Sequence, residues 1–129
     1  MRDYQRETNN PYHLPHNLWR QTLYQIRDYN RLKDEADSIA DLSAISTEIN
    51  TGGSVPGDTV GNKVAQRERY MNVIKAIDTA KSMIPTEYQR GIWRNILYGE
   101  AFPNDADRST YARHKSRFVY MVAYFLGWV

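Results

Sequence analysis

The feature that most constrains the fold of this chain is the helical spacing of apolar side chains between residues 15 and 41. Apolar or partly apolar residues recur there at steps of three and four: Trp19, Leu23, Ile26, Tyr29, Leu32, Ala36 and Ile39. This spacing puts them on one stripe of an α-helix. It predicts a single helix over residues 15–41, about 40 Å long at a rise of about 1.5 Å per residue. A helix of this length cannot bury its stripe against itself, so it needs a partner.

A second helical stripe follows a glycine-rich segment. Residues 51–62, TGGSVPGDTVGN, contain four glycines and one proline without an apolar period, which predicts a mobile loop. Helical spacing resumes through Val64, Met71, Ile74, Ile77, Lys81 and Ile84, of which only Lys81 is polar. Two amphipathic helices joined by a loop predict an antiparallel hairpin with coiled-coil-like packing over residues 13–84. Residues 1–12 show no such period, so we expect a flexible arm there.

Residues 85–129 begin with the signals of a shorter helix. Pro85 cannot continue the helix before it. Thr86 followed by Gln89 matches a capping box, which predicts that a new helix starts at Thr86. Gly99 is a typical helix terminator, so this helix is predicted to end just before it.

A last helix is predicted to start near Asp107 or Ser109, where a short oxygen-bearing side chain accepts hydrogen bonds from free backbone amides. Its first half is basic and its second half is nearly all apolar. Together with the helix before it and the turn-rich segment between them, it has the outline of a helix-turn-helix unit. The sequence therefore predicts an all-α fold, with a long antiparallel helical hairpin and a C-terminal helix-turn-helix-like pair over residues 85–129.

Composition narrows the class of protein. The 129 residues suffice for one domain. There is no cysteine, which excludes disulfides and thiolate metal sites and fits a reducing compartment. No stretch approaches the roughly 20 apolar residues that cross a bilayer, and the polar N-terminus does not resemble a secretion signal. We expect a cytoplasmic protein that has no membrane partner.

The excess positive charge lies in the last third of the chain. Residues 1–84 contain eleven Lys or Arg and eleven Asp or Glu, whereas residues 85–129 contain six and four. In a helix-turn-helix unit the second helix enters the major groove and presents its N-terminal side chains to the bases. The predicted base-facing residues are Arg108, Ser109, Thr110, Arg113 and His114. The predicted phosphate-facing residues are Lys115, Arg117, Arg90 and Arg94.

Two runs of the sequence resemble a known family. They are LWRQTLYQIRDYNRLKDEAD (residues 18–37) and IPTEYQRGIWRNILYGEAFPNDADRSTYARHKSRFVYMVAYFLG (residues 84–127). Both look like small phage-encoded proteins grouped as RinA-like or ArpU-like transcriptional regulators. The C-terminal half is also similar to region four of primary-family sigma factors, where a Ser-Thr pair followed by alternating basic residues opens the recognition helix. In this chain that pattern is Arg108, Ser109, Thr110, Arg113, Lys115 and Arg117.

No group of residues predicts catalysis, a metal site or a cofactor. His13 and His16 are three residues apart without a nearby carboxylate ligand, and His114 is distant in sequence. The glycine-rich loop lacks the lysine and hydroxyl residue that end a phosphate-binding loop. We therefore expect a protein that is not an enzyme and needs no cofactor.

Two functions from different classes remain open. The first is a phage or prophage transcriptional regulator that binds double-stranded promoter DNA through its C-terminal helices, with RNA polymerase as a further candidate partner. The second is a non-enzymatic helical adaptor or structural phage protein that binds another protein, because a basic half-helix is often only a solvated face. The hydrophobic stripes exceed what one small core uses, so we also expect a homo-oligomer.

Overall fold

The computed structural model describes residues 4–49 and 57–129, apart from the side chains of residues 42–49 and 57–60. Within these ranges there is no strand, and the helices are α1 (His16–Arg27), α2 (Tyr29–Ile49), α3 (Gly57–Ser82), α4 (Thr86–Tyr98) and α5 (Arg108–Phe125). The predicted all-α fold class is confirmed. The described residues divide into two compact units. We call residues 29–75 the hairpin unit, and residues 4–28 with 76–129 the three-helix unit.

In the three-helix unit, α1, α4 and α5 each pack against the other two. Trp19, Leu23 and Ile26 of α1 are fully buried, which is what their spacing in the sequence predicts. The same core contains Ile77, Ile84, Ile92, Ile96, Phe118, Val119 and Val122. Burying one such side chain contributes about 1.5–3 kcal/mol, so this core is the main source of stability in the unit.

In the hairpin unit, an apolar cluster joins α2 to α3. Its members are Tyr29, Leu32, Ala36, Tyr70, Val73 and Ile74. The Nε atom of Arg67 donates a hydrogen bond to the carbonyl oxygen of Ala36 at 3.2 Å. The second half of α3 thus lies beside the first half of α2, as in the hairpin that the sequence predicts.

The helix predicted over residues 15–41 is interrupted at Asp28. This residue has φ −81° and ψ −2°, and its backbone N–H donates to the carbonyl oxygens of Tyr24 and Gln25. Because α1 belongs to the three-helix unit, the compact unit that contains the α2–α3 cluster covers residues 29–75, whereas the sequence predicts a hairpin over residues 13–84. One turn residue barely shifts the phase of the apolar stripe, which is why the sequence pattern shows no break.

The segment before α1 is attached to the protein instead of forming the expected arm over residues 1–12. Gln5 is buried, and its amide group donates to the Leu14 carbonyl oxygen at 2.8 Å and accepts from the Leu14 N–H at 2.7 Å. The rings of Tyr12 and Tyr120 are 5.5 Å apart. Residues 1–3 lie outside the described part of the chain. The buried amide of Gln5 helps to hold this segment in place. The sequence shows no periodic pattern there from which this contact could be predicted.

The expected loop over residues 51–62 differs from the structure in its second half. Residues 57–62 form the first turns of α3, whereas residues 51–56 lie outside the described residues. Only two of the four glycines, Gly57 and Gly61, fall within the helix. Each isolated glycine costs a helix about 1 kcal/mol relative to alanine, a cost that neighbouring residues can offset.

The ends of α4 confirm one sequence signal and correct another. Gly99 terminates the helix with φ 67° and ψ 23°, and its N–H donates to the Asn95 carbonyl oxygen. The helix begins at Thr86 as predicted, but no side chain caps it. The Gln89 side chain donates instead to the carbonyl oxygen of Ile84 at 2.9 Å, so the capping box does not form.

The connector between α4 and α5, residues 99–107, packs closely on α4 at Gly91. A Cβ atom at Gly91 would lie 2.7 Å from Cδ of Pro103 and 2.9 Å from Cε1 of Tyr111. Carbon atoms in contact prefer about 3.5–4.0 Å. Only glycine fits at this position, and its lack of a side chain sets how closely the connector and α5 approach α4.

We expect Gly91→Ala to lower the free energy of unfolding of the three-helix unit by about 1–3 kcal/mol, because the added methyl group displaces Pro103 and Tyr111. Urea unfolding monitored by tryptophan fluorescence measures the stability of this unit, since all three tryptophans belong to it. Gly61→Ala is the matched control: its Cβ would meet nothing within 4 Å, and alanine favours the surrounding helix. Unchanged stability of Gly91→Ala would contradict the close packing.

Candidate nucleic-acid interface

The candidate interface is built on α4, the connector and α5. The buried side of α5 holds Tyr111, Lys115, Ser116, Phe118, Val119, Val122 and Ala123. Ser109, Arg113 and Arg117 follow one another at steps of four; the first two are exposed and the third is partly buried. Side chains four residues apart line up on one face of a helix. This face points away from the core, and we call it the α5 stripe.

Four of the predicted DNA-binding residues are exposed to solvent. They are Arg90 on α4 and Arg108, Ser109 and Arg113 on α5. Thr110 is partly buried, and its hydroxyl oxygen lies 3.5 Å from Nη2 of Arg113. The first turns of α5, residues 108–113, therefore present a polar and basic surface, which we call the basic front of α5.

Lys115 is not part of that surface, which corrects its predicted contact with phosphate. Only 4% of the residue is exposed, and its Nζ donates to Oδ1 of Asn95 at 2.7 Å. Asn95 in turn donates its amide to the carbonyl oxygen of Glu100 at 2.7 Å. This chain of hydrogen bonds links α5, α4 and the connector, so the charge of Lys115 has a structural use.

Arg94 is held by the connector. Its Nε and Nη2 atoms donate to the two carboxylate oxygens of Glu100 at 2.6 and 2.7 Å. The hydrogen bond from Arg94 is the main cause that lowers the pKa of Glu100, and the same bond raises the pKa of Arg94. Glu100 neutralises this arginine, so its predicted role at a phosphate requires the ion pair to open first.

His114 lies between the basic surface and the core. Its ring stacks on Tyr88 with centroids 4.8 Å apart. Burial, followed by the positive charges of Arg113 and Arg117, lowers the pKa of His114 from its usual 6.5. The imidazole is therefore neutral at pH 7 and adds no positive charge to the surface.

A second hydrogen bond fixes the connector to the start of α5. The hydroxyl of buried Tyr111 donates to Oδ1 of Asp105 at 2.6 Å, and the Tyr111 ring stacks on Phe102 at 5.2 Å. The bond to Asp105, followed by burial, raises the pKa of Tyr111 from 10.0 to about 12. Asp105 thus has a hydrogen-bond partner inside the unit.

Sequence reasoning missed the role of Asn95 and misplaced Lys115, although a signal for Lys115 was present. It stands four residues after Tyr111 and three before Phe118, both of which are fully buried. Helical spacing alone would have placed it on the buried side of α5. The same spacing places Asn95 on the buried side of α4, three residues after Ile92, but nothing in the sequence shows which groups its amide meets.

In residues 4–49 and 57–129, no three or more His, Asp or Glu side chains come together in a way that could hold a metal ion. None of the helices in these ranges is both long and apolar enough to span a bilayer.

Comparison with known proteins adds no family. The chain matches no protein-family model, no curated protein and no solved structure. The resemblance to the RinA-like or ArpU-like regulators therefore stays a prediction from the sequence.

We expect Lys115→Met to reduce the free energy of unfolding of the three-helix unit by about 1–3 kcal/mol, because it leaves Asn95 Oδ1 without this buried donor. Arg113→Met is the matched control, since Arg113 is exposed on the same helix and such changes usually stay within about 0.5 kcal/mol. Fluorescence-detected urea unfolding compares the two. Equal stabilities would contradict a structural role for Lys115.

The raised pKa of Tyr111 predicts a loss of stability at high pH. The folded unit favours the protonated hydroxyl, so its contribution is complete below pH 10.0 and falls as pH rises towards about 12. Other groups titrate in this window, and the variant Tyr111→Phe isolates the effect. The stability difference between wild type and this variant should shrink over that range in urea unfolding. A difference that stays constant would show that Tyr111 ionises at its ordinary pKa.

Proposed function

We propose that this protein binds double-stranded DNA through the first half of α5. The observation that carries the proposal is the exposure of Arg108, Ser109 and Arg113 on a helix whose opposite side is buried in a core. Arginine and serine side chains donate hydrogen bonds to base edges and phosphates. A helix anchored along one side can present such donors in a fixed geometry, which lowers the entropy lost on binding.

The structure reduces the set of residues proposed to contact DNA. Arg108, Ser109 and Arg113 are the proposed base-facing residues, because the N-terminal part of a recognition helix enters the major groove. Arg90 and the partly buried Arg117 are proposed to contact phosphates. The other predicted residues contribute less, since Lys115 is buried, Arg94 is paired with Glu100 and His114 is neutral at pH 7.

The biological role belongs to the same proposal. The resemblance to RinA-like and ArpU-like regulators supports control of phage or prophage genes at promoter DNA in the bacterial cytoplasm. It also makes RNA polymerase a candidate partner. The expected homo-oligomer fits this role, because a second copy doubles the number of contacts that one DNA site can offer.

A protein-binding adaptor is the second candidate, favoured by apolar side chains near the end of the chain. Tyr124, Phe125 and Val129 are 54%, 40% and 46% exposed, and the Tyr124 and Phe125 rings are in edge contact at 5.6 Å. Exposed aromatic residues of this kind are enriched in protein interfaces. In this function the basic front of α5 provides only solubility.

Fluorescence anisotropy with labelled duplex DNA at several salt concentrations tests the proposal. The duplexes come from two pools, one of random sequence and one enriched for binding by selection on the protein. We expect Arg113→Gln to raise Kd roughly three- to tenfold and to reduce the slope of log K against log salt by about 1 if the lost contact is to phosphate. A larger loss on the selected pool than on the random pool assigns Arg113 to the bases.

Arg69→Gln is the control, because Arg69 is an exposed arginine of the hairpin unit and its loss changes net charge equally. It should leave Kd and the salt slope nearly unchanged. If the two substitutions weaken binding equally, net charge alone explains the DNA binding and α5 has no specific role. Absence of binding at low salt would overturn the proposal in favour of the adaptor.

A further inference from the structure

The three-helix unit contains a groove that the proposed DNA contact does not use. Its volume is about 670 Å³, and it runs along α1 between the segment before that helix and the end of α4. Its walls include Tyr4, His13, Trp19, Arg20, Arg27 and Tyr98. Sites for small molecules typically measure about 300–1,000 Å³, so the groove has the size of a ligand site.

Hydrogen bonds fix two walls of the groove. The paired bonds between Gln5 and the Leu14 backbone tie the start of the N-terminal wall to buried Leu14, just before α1. On the other side, Nε of Arg27 donates to the carbonyl oxygen of Ile96 at 2.8 Å and ties α1 to the end of α4. A groove whose walls are fixed before binding loses little entropy when a ligand enters.

Two guanidinium groups of the lining lie near one tyrosine ring. Arg20 donates from Nη2 to the Tyr24 hydroxyl at 3.0 Å. The guanidinium carbons of Arg20 and Arg27 lie 5.9 and 5.8 Å from the centre of the Tyr24 ring. Among the lining residues that the structure describes, these two arginines stand against one carboxylate, Glu7.

Aromatic side chains supply the remaining surface. Tyr4 and Tyr98, both in the lining, are 63% and 58% exposed, whereas Trp19 is only 1% exposed. A flat apolar ligand can stack on exposed rings, and a guanidinium group binds an anionic oxygen with two parallel hydrogen bonds. We infer that this groove binds a small aromatic anion, with its ring against Tyr4 and Tyr98 and its acidic group at Arg20 and Arg27.

Fluorescence titration with anilinonaphthalene sulfonate, an aromatic anion, tests the inference. The uncharged phenylnaphthylamine and inorganic phosphate serve as probes that carry only the ring or only the charge. We expect the sulfonate to bind at least about tenfold more tightly than either, because ring contacts and charge-assisted hydrogen bonds add. The indole N–H resonance of Trp19 in two-dimensional NMR should shift on binding, which locates the probe in the groove.

Two surface substitutions and two matched controls decide the result. Arg20→Gln and Tyr98→Ser should each weaken the sulfonate roughly tenfold, whereas Arg69→Gln and Tyr124→Ser, at exposed positions outside the groove lining, should not. Both groove residues are exposed, so the fold should persist, and the unfolding midpoint checks it. Equal binding of the charged and neutral probes, or equal Kd values for Arg20→Gln and Arg69→Gln, would overturn the inference. DNA binding is measured separately and does not depend on this result.

Discussion

The close approach of the connector and α5 to α4 at Gly91 governs the geometry of the three-helix unit. Because no side chain stands between them, Pro103 and Tyr111 reach the surface of α4 directly. The hydrogen bond from Lys115 to Asn95 joins α5 to α4, and the bond from Tyr111 to Asp105 joins α5 to the connector. The tight packing also fixes the rotation of α5, and that rotation decides which side chains on the helix face solvent.

This rotation divides similar cationic side chains into different roles. Arg113 and Lys115 are two residues apart, yet one is exposed and the other is 4% exposed and hydrogen bonded. Positions two apart on a helix lie on nearly opposite faces, since successive residues are turned by about 100°. Charge counted along the sequence therefore overstates the charge that a polyanion meets. The ion pair of Arg94 with Glu100 lowers it further.

The connector has a double effect on the candidate interface. Two of its three acidic residues, Glu100 and Asp105, could have faced the basic front of α5 and cancelled its charge; the third, Asp107, directly precedes Arg108. The structure instead engages the first two with Arg94 and Tyr111, where each also anchors the connector. The same contacts that stabilise the fold thus keep two carboxylates occupied while Arg108 remains exposed. Arg27 of α1 likewise has two roles: it joins α1 to α4 through a hydrogen bond, and it lines the groove.

The sequence by itself determined the all-α class, the stripes of α1 and α2 and the end of α4 at Gly99, because these depend on local spacing and on the backbone freedom of one residue. The predicted stripe of α3 is only partly buried, since Val64 and Met71 are exposed. The sequence also located the basic front of the last helix. Only the tertiary structure decided that the long helix divides at Asp28, that the hairpin unit covers residues 29–75, and that Lys115 turns inward. These features depend on contacts between residues far apart in the chain, and helical periodicity carries no information about which stripe packs against which.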